Sequence, residues 1–301
     1  MALLLDTHIV PGETAPRALD RYCSEVFPLL FGRKAARKAL KRGVLLVNGE
    51  PAHHDHRVLP GERIELFEEE SRRPAYPLAL RIIYEDSHLA VVIKPAGIPT
   101  NGNCFRTAEH ALAYTLAPSP EADRLARPRP VHRLDAATGG LLLAARTAGS
   151  LSALSRQFER REVEKRYRAL AVGLLEGEGV WEFPLDGQIA VTRYRVVASS
   201  PSLRNGHLTL LDCWPVTGRT HQIRRHLLEA GHPILGDALY INSRETVFRG
   251  KGLFLWAAEI AFRHPFTGLP LRVSEEEPPK FRSLREREAR RWERQYGGDP
   301  R

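Results

Sequence analysis

The pattern of apolar and polar positions first predicts a helix at residues 33–42. Cations recur every four residues in two adjacent columns, and alanine and leucine fill the other side, as in an amphipathic helix that ends at Gly43. Short apolar strands follow, with the turn signal Asn48-Gly49 between them. The pattern therefore predicts a small helix-and-hairpin unit over residues 15–67.

The pattern becomes strand-rich after residue 77. Residues 68–77 are charged and contain two prolines, which is typical of a mobile linker. Strands are predicted at residues 80–84, 89–93, 141–145, 165–172, 192–197, 207–213, 253–262 and 269–273. Helices are predicted at residues 107–116, 150–161 and 221–229. Many short strands separated by turn signals indicate a mixed α+β domain.

The chain has 301 residues, enough for one large domain or two ordinary ones. We predict an N-terminal unit at residues 1–72, a larger domain at residues 78–283 and a C-terminal segment at residues 284–301. Charge dominates that last segment, which predicts a solvated helix or a frayed tail.

The formal net charge of +9 favours a polyanionic partner, and nucleic acid is the commonest. Every charge on the predicted helix at residues 33–42 is positive, which costs repulsion unless an anion lies against it. A solvated helix face is the other interpretation of such a charge run. We predict contacts with RNA phosphates from Arg33, Lys34, Arg37, Lys38, Lys41 and Arg42.

Cysteine spacing and apolar run lengths argue against several classes of protein. The three cysteines are far apart and form no Cys-x-x-Cys pair, which disfavours a zinc ribbon, a redox dithiol and a disulfide framework. The apolar N-terminus is too short for a signal peptide, and no run approaches the roughly 20 apolar residues of a membrane span. We therefore expect a cytoplasmic protein with no membrane partner. The spacing of His221, His226 and His232, without a nearby cysteine, argues against a metal site.

A lone carboxylate, Asp135, stands among cations near the middle of the chain. It lies between a proline-containing loop and a Gly-Gly turn that leads into an apolar strand, and functional residues concentrate on such loops. The neighbouring His132 and Arg133 suit an RNA backbone. A second stretch, GRTHQIR at residues 218–224, offers many hydrogen-bond donors and no acid. A structural salt bridge, for example with Arg133, is the other interpretation of Asp135.

Several short motifs occur in a fixed order along the chain. They are KPAG at 94–97, HRLD at 132–135 followed by Thr138 and Gly140-Leu141, KRYRA at 165–169, GRTHQIR at 218–224 and HPILGD at 232–237. In order and rough spacing they resemble the motifs of the RluA-type pseudouridine synthases, over about residues 80–273. Residues 32–66 separately resemble the alpha-L RNA-binding motif of ribosomal proteins and RNA-modifying enzymes.

The resemblance implies a mixed, mainly antiparallel catalytic sheet of pseudouridine synthase type and an isomerase that needs no cofactor. Such enzymes flip out a uridine, break its N-glycosidic bond, turn the base and rejoin it through carbon. By resemblance, Asp135 is the catalytic carboxylate, acting as nucleophile or as base. Arg224 would pair with it, holding it charged and oriented, and Tyr167 would stack on the base. The RNA contacts expected in this domain are Arg133, His132 and Arg219.

Two features depart from the family pattern. Gly139 stands where serine is usual, which removes a hydroxyl, and the connection between residues 173 and 193 is short, which we interpret as a trimmed surface hairpin. The expected substrate is structured RNA, ribosomal RNA first and transfer RNA second, and the expected form is a monomer without an obligatory protein partner. The alternative is a non-catalytic RNA-binding or ribosome-assembly protein on the same fold. The joint presence of Asp135, Tyr167 and Arg224 argues against that alternative.

Overall fold

A computed structural model describes residues 3–30, 32–67, 74–240 and 251–297. Its N-terminal unit is built from short strands and two helices. The strands are β1 (Leu4–Ile9), β2 (Arg17–Ala18), β3 (Leu45–Val47), β4 (Glu50–Pro51), β5 (Arg57–Val58) and β6 (Arg63–Phe67). The helices are α1 (Leu19–Val26) and α2 (Arg33–Lys41).

The strands of the N-terminal unit form an antiparallel sheet in the order β1-β6-β3-β4, and β2 pairs with β5. Helix α2 confirms the predicted basic helix, and Gly43 follows it with the left-handed φ of 69° that suits a helix end. Asn48 and Gly49 have φ values of 52° and 86°, so the predicted hairpin turn is also confirmed.

The sequence pattern did not predict β1 or α1. Leu19, Tyr22 and Cys23 are buried at helical spacing along α1, a signal spread over only two turns of helix. Strand β1 pairs with β6 from Leu4 to Ile9, so its conformation depends on a partner far along the chain. Neither local pattern was strong enough to distinguish the helix or the strand from a loop.

The remaining described chain forms the larger domain. Its strands are β7 (Arg81–Glu85), β8 (Leu89–Lys94), β9 (Arg124–Pro130), β10 (Gly139–Thr147), β11 (Glu164–Val172), β12 (Glu178–Trp181), β13 (Thr192–Ser202), β14 (Gly206–Pro215), β15 (Leu255–Arg263) and β16 (Pro270–Ser274). Its helices are α3 (Ala108–Thr115), α4 (Ala148–Glu159), α5 (Gln222–Glu229) and α6 (Lys280–Tyr296).

These strands form a 10-stranded sheet in the order β12-β13-β14-β11-β15-β10-β8-β7, with β16 beside β15 and β9 beside β10. Among the strands of the described residues, only β10 and β15 pair in parallel, so the predicted mixed, mainly antiparallel α+β fold is confirmed. The short connection between residues 173 and 193 carries β12, which pairs with β13 as a hairpin.

The parallel pairing of β10 with β15 is short, and further along β10 a different strand, β9, takes the place of β15. Strand β15 pairs with β10 only at Gly139 and Gly140, whereas β9 pairs with β10 from Ala144 onward. A Cβ on Gly140, whose φ is 121°, would lie 2.4 Å from the Ala257 carbonyl oxygen, so only glycine allows this approach. Two predictions are therefore wrong: the Gly-Gly pair begins a strand instead of forming a turn, and residues 124–130 form an edge strand that tolerates its prolines.

The N-terminal unit packs against the larger domain. One continuous apolar cluster includes buried side chains of both, among them Leu5 of β1 and Leu151 of α4. The Asp6 carboxylate accepts hydrogen bonds from Arg156 Nη2 at 2.8 and 3.0 Å. Most of the predicted linker falls on residues 68–73, which lie outside the described residues. The two units share a core, where the sequence predicted a mobile attachment.

Helix α6 begins before the predicted C-terminal segment and packs on the domain. Phe281 and Leu284 are buried, and the buried Glu288 accepts a hydrogen bond from Ser202 Oγ at 3.0 Å. The prediction of a solvated or frayed segment is therefore wrong for this face of the helix, and residues 298–301 lie outside the described residues. No helix in the described ranges combines the length and apolar character that a membrane span requires.

Candidate active site

A cleft of about 550 Å³ lies in front of the loop at residues 131–138 that leads into β10. Its other walls are the start of β11 and the segment at residues 215–224 that leads into α5. The N-terminal unit closes one side with Phe27, Leu30 and Gly32. Both units of the chain therefore contribute to one cleft.

Asp135 is presented to the cleft by a loop fixed on both sides. The Leu134 N–H donates to Thr100 Oγ1 at 2.9 Å, and the Gly97 N–H donates to the Ala136 carbonyl at 2.7 Å. The KPAG motif therefore supports the loop that carries the carboxylate. The Asp135 side chain is 30% exposed, so its oxygens remain accessible from the cleft.

Arg224, on α5, links Asp135 to a second carboxylate. Its Nε and Nη2 donate to Asp237 at 2.7 and 2.8 Å, and its Nη1 donates to Asp135 Oδ2 at 3.4 Å. Burial would raise the pKa of Asp237, but hydrogen bonds from Arg224 and from the N–H groups of Leu239 and Tyr240 outweigh it and hold that pKa below its usual range. A fixed and nearly buried cation thus faces Asp135.

His221 contacts the other oxygen of the carboxylate. Its Nε2 lies 3.6 Å from Asp135 Oδ1, and its Nδ1 lies 2.9 Å from the Tyr240 hydroxyl. The backbone of His221 is left-handed, with a φ of 55°, which turns the ring toward the cleft from the residue before α5. At the level of sequence, His221 was considered as a metal ligand, a role that its spacing disfavours, and Asp237 and Tyr240 were missed as partners. The available signal was the HPILGD motif, which ends at Asp237.

Two titratable groups, the buried Lys94 and the half-buried Tyr167, border Asp135. Burial lowers the pKa of Lys94 to about 8, although the negative charge of Asp135 opposes this, and its Nζ donates to the Ile98 carbonyl at 2.7 Å. Burial, helped by the charge of Asp135, raises the pKa of Tyr167 well above its usual value. Tyr167 lines the cleft from β11 and keeps its proton at neutral pH. The structure therefore brings Tyr167, Arg224 and Asp135 to one site.

His132 completes the sheet where β15 and β9 leave a gap. Its Nε2 accepts a hydrogen bond from the Leu143 N–H at 3.0 Å, and its ring stacks on Phe158 with centroids 5.0 Å apart. Burial, together with the nearby charge of Lys165, lowers the pKa of His132 to about 3. The ring is therefore uncharged at neutral pH and cannot form the ionic phosphate contact that the sequence suggested.

The other predicted RNA contacts lie at the surface. Arg133 is exposed at the cleft, and Arg219 lines it while its Nε donates to the Ile189 carbonyl at 3.0 Å. Among the α2 cations, the Nε atoms of Arg33 and Arg37 donate to Asp20 Oδ2 at 2.7 and 2.6 Å. Part of the repulsion is therefore offset within the chain. The remaining α2 cations are also exposed: Lys34, Lys38, Lys41 and Arg42.

The missing serine at position 139 is explained by a neighbouring ring. A Cβ on Gly139 would lie 2.8 Å from Cζ3 of Trp256, so the indole occupies the space that a serine would need. The indole Nε1 is buried and has no hydrogen-bond partner among the residues described here. The glycine and the tryptophan therefore form one local arrangement.

Possible metal ligands lie away from the cleft. In the described part of the chain, one group of side chains, His53, His54 and Asp55, brings ligand atoms within 4.8 Å of one another, and all three are exposed. His226 and His232 instead form hydrogen bonds with protein groups, at 3.0 Å to Thr192 Oγ1 and to a backbone carbonyl respectively.

Comparison with known proteins gives a consistent family. Residues 88–229 match the family model described as RNA pseudouridylate synthase. The ribosomal large subunit pseudouridine synthase D of Xanthomonas campestris is 32% identical over 92% of this chain and 90% of its own length. The protein of the same description from Nitrosomonas europaea is 33% identical over 86% of this chain and 80% of its own.

A third relative and one solved structure agree. An uncharacterized RNA pseudouridine synthase of Aquifex aeolicus is 33% identical over 88% of this chain and 92% of its own. The structure of human RNA pseudouridylate synthase domain containing 1 has the same fold, with a TM-score of 0.57 and 24% identity over 70% of this chain and 88% of that one. The chain therefore belongs to the RluA-type family of pseudouridine synthases, isomerases that act on RNA.

Proposed function

We propose that this enzyme isomerises uridines in large-subunit ribosomal RNA, with Asp135 as its catalytic carboxylate. The observation that carries the proposal is the setting of Asp135: a partly exposed carboxylate at the floor of a cleft, 3.4 Å from the Nη1 of a nearly buried Arg224. The choice of RNA is supported by relatives whose names state that they modify the large ribosomal subunit. Transfer RNA is the second choice.

The catalytic roles follow from what each group can do at its place. Asp135 attacks the ribose as a nucleophile or removes a proton from it as a base, and an ionised carboxylate serves either route. Arg224 donates a hydrogen bond to the carboxylate and fixes its direction, because Asp237 holds the guanidinium from behind. Tyr167, uncharged beside Asp135, offers its ring to the flipped-out base.

Binding of a structured RNA fits the charge on the N-terminal unit. Exposed cations of α2 lie on the unit that also walls the cleft, so the same unit can anchor the RNA beside the target uridine. Each phosphate contact releases counterions, and affinity should fall linearly with salt on logarithmic axes. Lys34→Gln and Lys38→Gln should each reduce the steepness of that dependence by about 1. If the salt dependence of RNA affinity in both variants were as steep as in the wild type, the RNA would not contact these two lysines.

We further propose that the enzyme works as a cytoplasmic monomer, because both units of one chain wall the cleft and relatives are named for the large ribosomal subunit. Sedimentation of the purified protein with and without RNA would test this. A stable dimer in the absence of RNA would contradict it.

The decisive assay measures tritium released from RNA labelled at uridine C5. Large-subunit ribosomal RNA and bulk transfer RNA are offered separately to the wild type and to Asp135→Asn. The matched control is Asp186→Asn, which removes an exposed carboxylate that pairs with another α5 arginine, Arg225, at 2.8 Å. We expect release from large-subunit RNA by the wild type and the control, and none by Asp135→Asn.

The other outcomes separate the parts of the proposal. Release from transfer RNA alone would refute the ribosomal target and leave the role of Asp135 intact. Equal release by wild type and Asp135→Asn would refute that role. No release from either RNA would refute both proposed targets.

A further inference from the structure

A second pocket adjoins the catalytic cleft. Its volume is about 610 Å³, and it lies between the starts of β11 and β13 and the end of β14. Arg161, Lys165, Pro215 and Val216 line both this pocket and the cleft that holds Asp135. The two spaces are therefore one continuous groove, and an RNA strand in the cleft has a path into the second pocket.

The lining of the second pocket combines an aromatic ring with cations. Trp214, at the end of β14, is half-buried, and the Arg195 guanidinium lies 5.5 Å from its ring centroid. Arg195 also lies 3.7 Å from Asp212 Oδ2 but keeps 59% of its side chain exposed. An aromatic ring beside a guanidinium is the pairing on which unpaired bases stack in single-strand RNA sites.

The charge of the lining also suits a nucleotide. The cations outnumber the acids, and the charged side chains are Arg161, Lys165, Arg193, Arg195, Glu164 and Glu178. Arg161 and Lys165 stand at the passage to the cleft, where the sugar–phosphate backbone has to run. The apolar Val180 and Val216 are exposed to 50% and 39%, a surface that a base would cover.

The pocket is built on a rigid floor. Tyr194 stacks on Trp181 with ring centroids 4.2 Å apart and planes 14° from parallel. Strand β12 passes so close to Tyr194 that a Cβ on Gly179 would lie 2.9 Å from its ring. A site formed before binding loses little side-chain freedom when the ligand enters, which favours affinity.

We propose that this pocket binds an unpaired nucleotide that flanks the target uridine, with its base stacked on Trp214 and its phosphate near Arg161 and Lys165. The inference rests on the RNA substrate of the proposed function and does not depend on which RNA is modified. The second pocket would then select RNAs that present two unpaired nucleotides, one for each pocket.

The test compares two fluorescein-labelled ten-nucleotide probes of equal charge, an oligouridylate and the same backbone without bases. Their dissociation constants are measured by fluorescence anisotropy with the full-length protein. The preference of the wild type for the base-bearing probe should fall about 5- to 150-fold in Trp214→Leu, the range for losing one base–aromatic stack. The matched control is Trp292→Leu on α6, a 37% exposed tryptophan outside the lining.

A second variant keeps the test independent of tryptophan packing. Arg193→Gln should weaken both probes alike and lower the steepness of their salt dependence by about 1. An unchanged preference in Trp214→Leu, or an equal loss in Trp292→Leu, would overturn the proposal. The probes need no modification site, so failure here is distinct from failure of the tritium-release assay.

Discussion

The pair formed by Arg224 and Asp237 makes a quantitative prediction about how Asp135, the proposed catalytic carboxylate, is held. The Asp237 side chain is 0% exposed and that of Arg224 4%, with hydrogen bonds of 2.7 and 2.8 Å between them. Removing one partner of such a buried ion pair leaves the other charge unpaired and costs about 3–5 kcal/mol. Asp237→Asn keeps the shape of the side chain and one hydrogen-bond acceptor. We therefore expect the free energy of unfolding to fall by about 3 kcal/mol, the low end of that range.

The same substitution should reduce catalysis, because Arg224 loses the anchor that aims Nη1 at Asp135. A misplacement of about 1 Å near the reacting atoms can reduce the rate 10²-fold, and we expect a fall in kcat of that order with little change in RNA affinity. Urea unfolding gives the free energy of unfolding, and single-turnover tritium release gives the rate.

The pH dependence of this prediction has a defined sign. The pKa of Asp237 is lowered in the folded protein, so its contribution to stability is complete above its unfolded pKa of about 4 and is lost as the pH falls through the folded value. The stability gap between wild type and Asp237→Asn should therefore narrow in acid. A gap under about 1 kcal/mol at pH 7 would refute the buried-pair argument. A large gap with unchanged kcat would refute the role of Asp237 in positioning Arg224.

Three further outcomes follow from neighbouring features. The pKa of His132 is lowered to about 3, so between pH 7 and pH 5 only the unfolded chain takes up a proton at this residue. The free energy of unfolding of the wild type should therefore fall by about 2 kcal/mol relative to that of His132→Gln as the pH falls from 7 to 5. Urea unfolding at both pH values checks this. Gly139→Ser should lower the free energy of unfolding by about 1–3 kcal/mol, because the new side chain would overpack against the Trp256 ring. Adding Trp256→Leu to the same chain should restore part of this stability, as measured by thermal unfolding. No recovery would contradict the contact. Arg156→Ala should speed amide hydrogen exchange in β1, since it removes the ion pair with Asp6, and unchanged exchange would show that the pair does not hold the strand.

The sequence identified the residues that we propose for catalysis better than it identified the side chains that hold them. Asp135, Tyr167 and Arg224 each stand in a short motif, and a motif records residue type and order. The partners Asp237 and Tyr240 act through contacts that α5 makes with a later segment, and such a pairing is a property of the tertiary fold. The HPILGD motif records that Asp237 is present, but it does not record that this carboxylate will be buried against Arg224.

The same limit explains the structural misses. Histidine is a residue type that can bind phosphate when it is protonated. His132 is uncharged at neutral pH because its position in the gap of the sheet buries the ring and lowers its pKa. Strand β9 contains prolines, which locally indicate a loop because proline has no N–H to donate. Since β9 is an edge strand beside β10, these positions can do without that hydrogen bond. Strong periodic segments such as α2 and β8 were predicted because their own side chains determine them.

The core shared by the two units bears on how such an enzyme can change over time. Leu5 and Leu151 belong to one apolar cluster, so deleting the N-terminal unit would expose the surface of α4 that it covers. We expect the chain to unfold in a single transition and the larger domain alone to aggregate. The N-terminal unit, which we propose anchors the RNA, is then not an exchangeable module: this unit and the cleft are inherited as one piece, and a new target would have to arise by substitution within that piece.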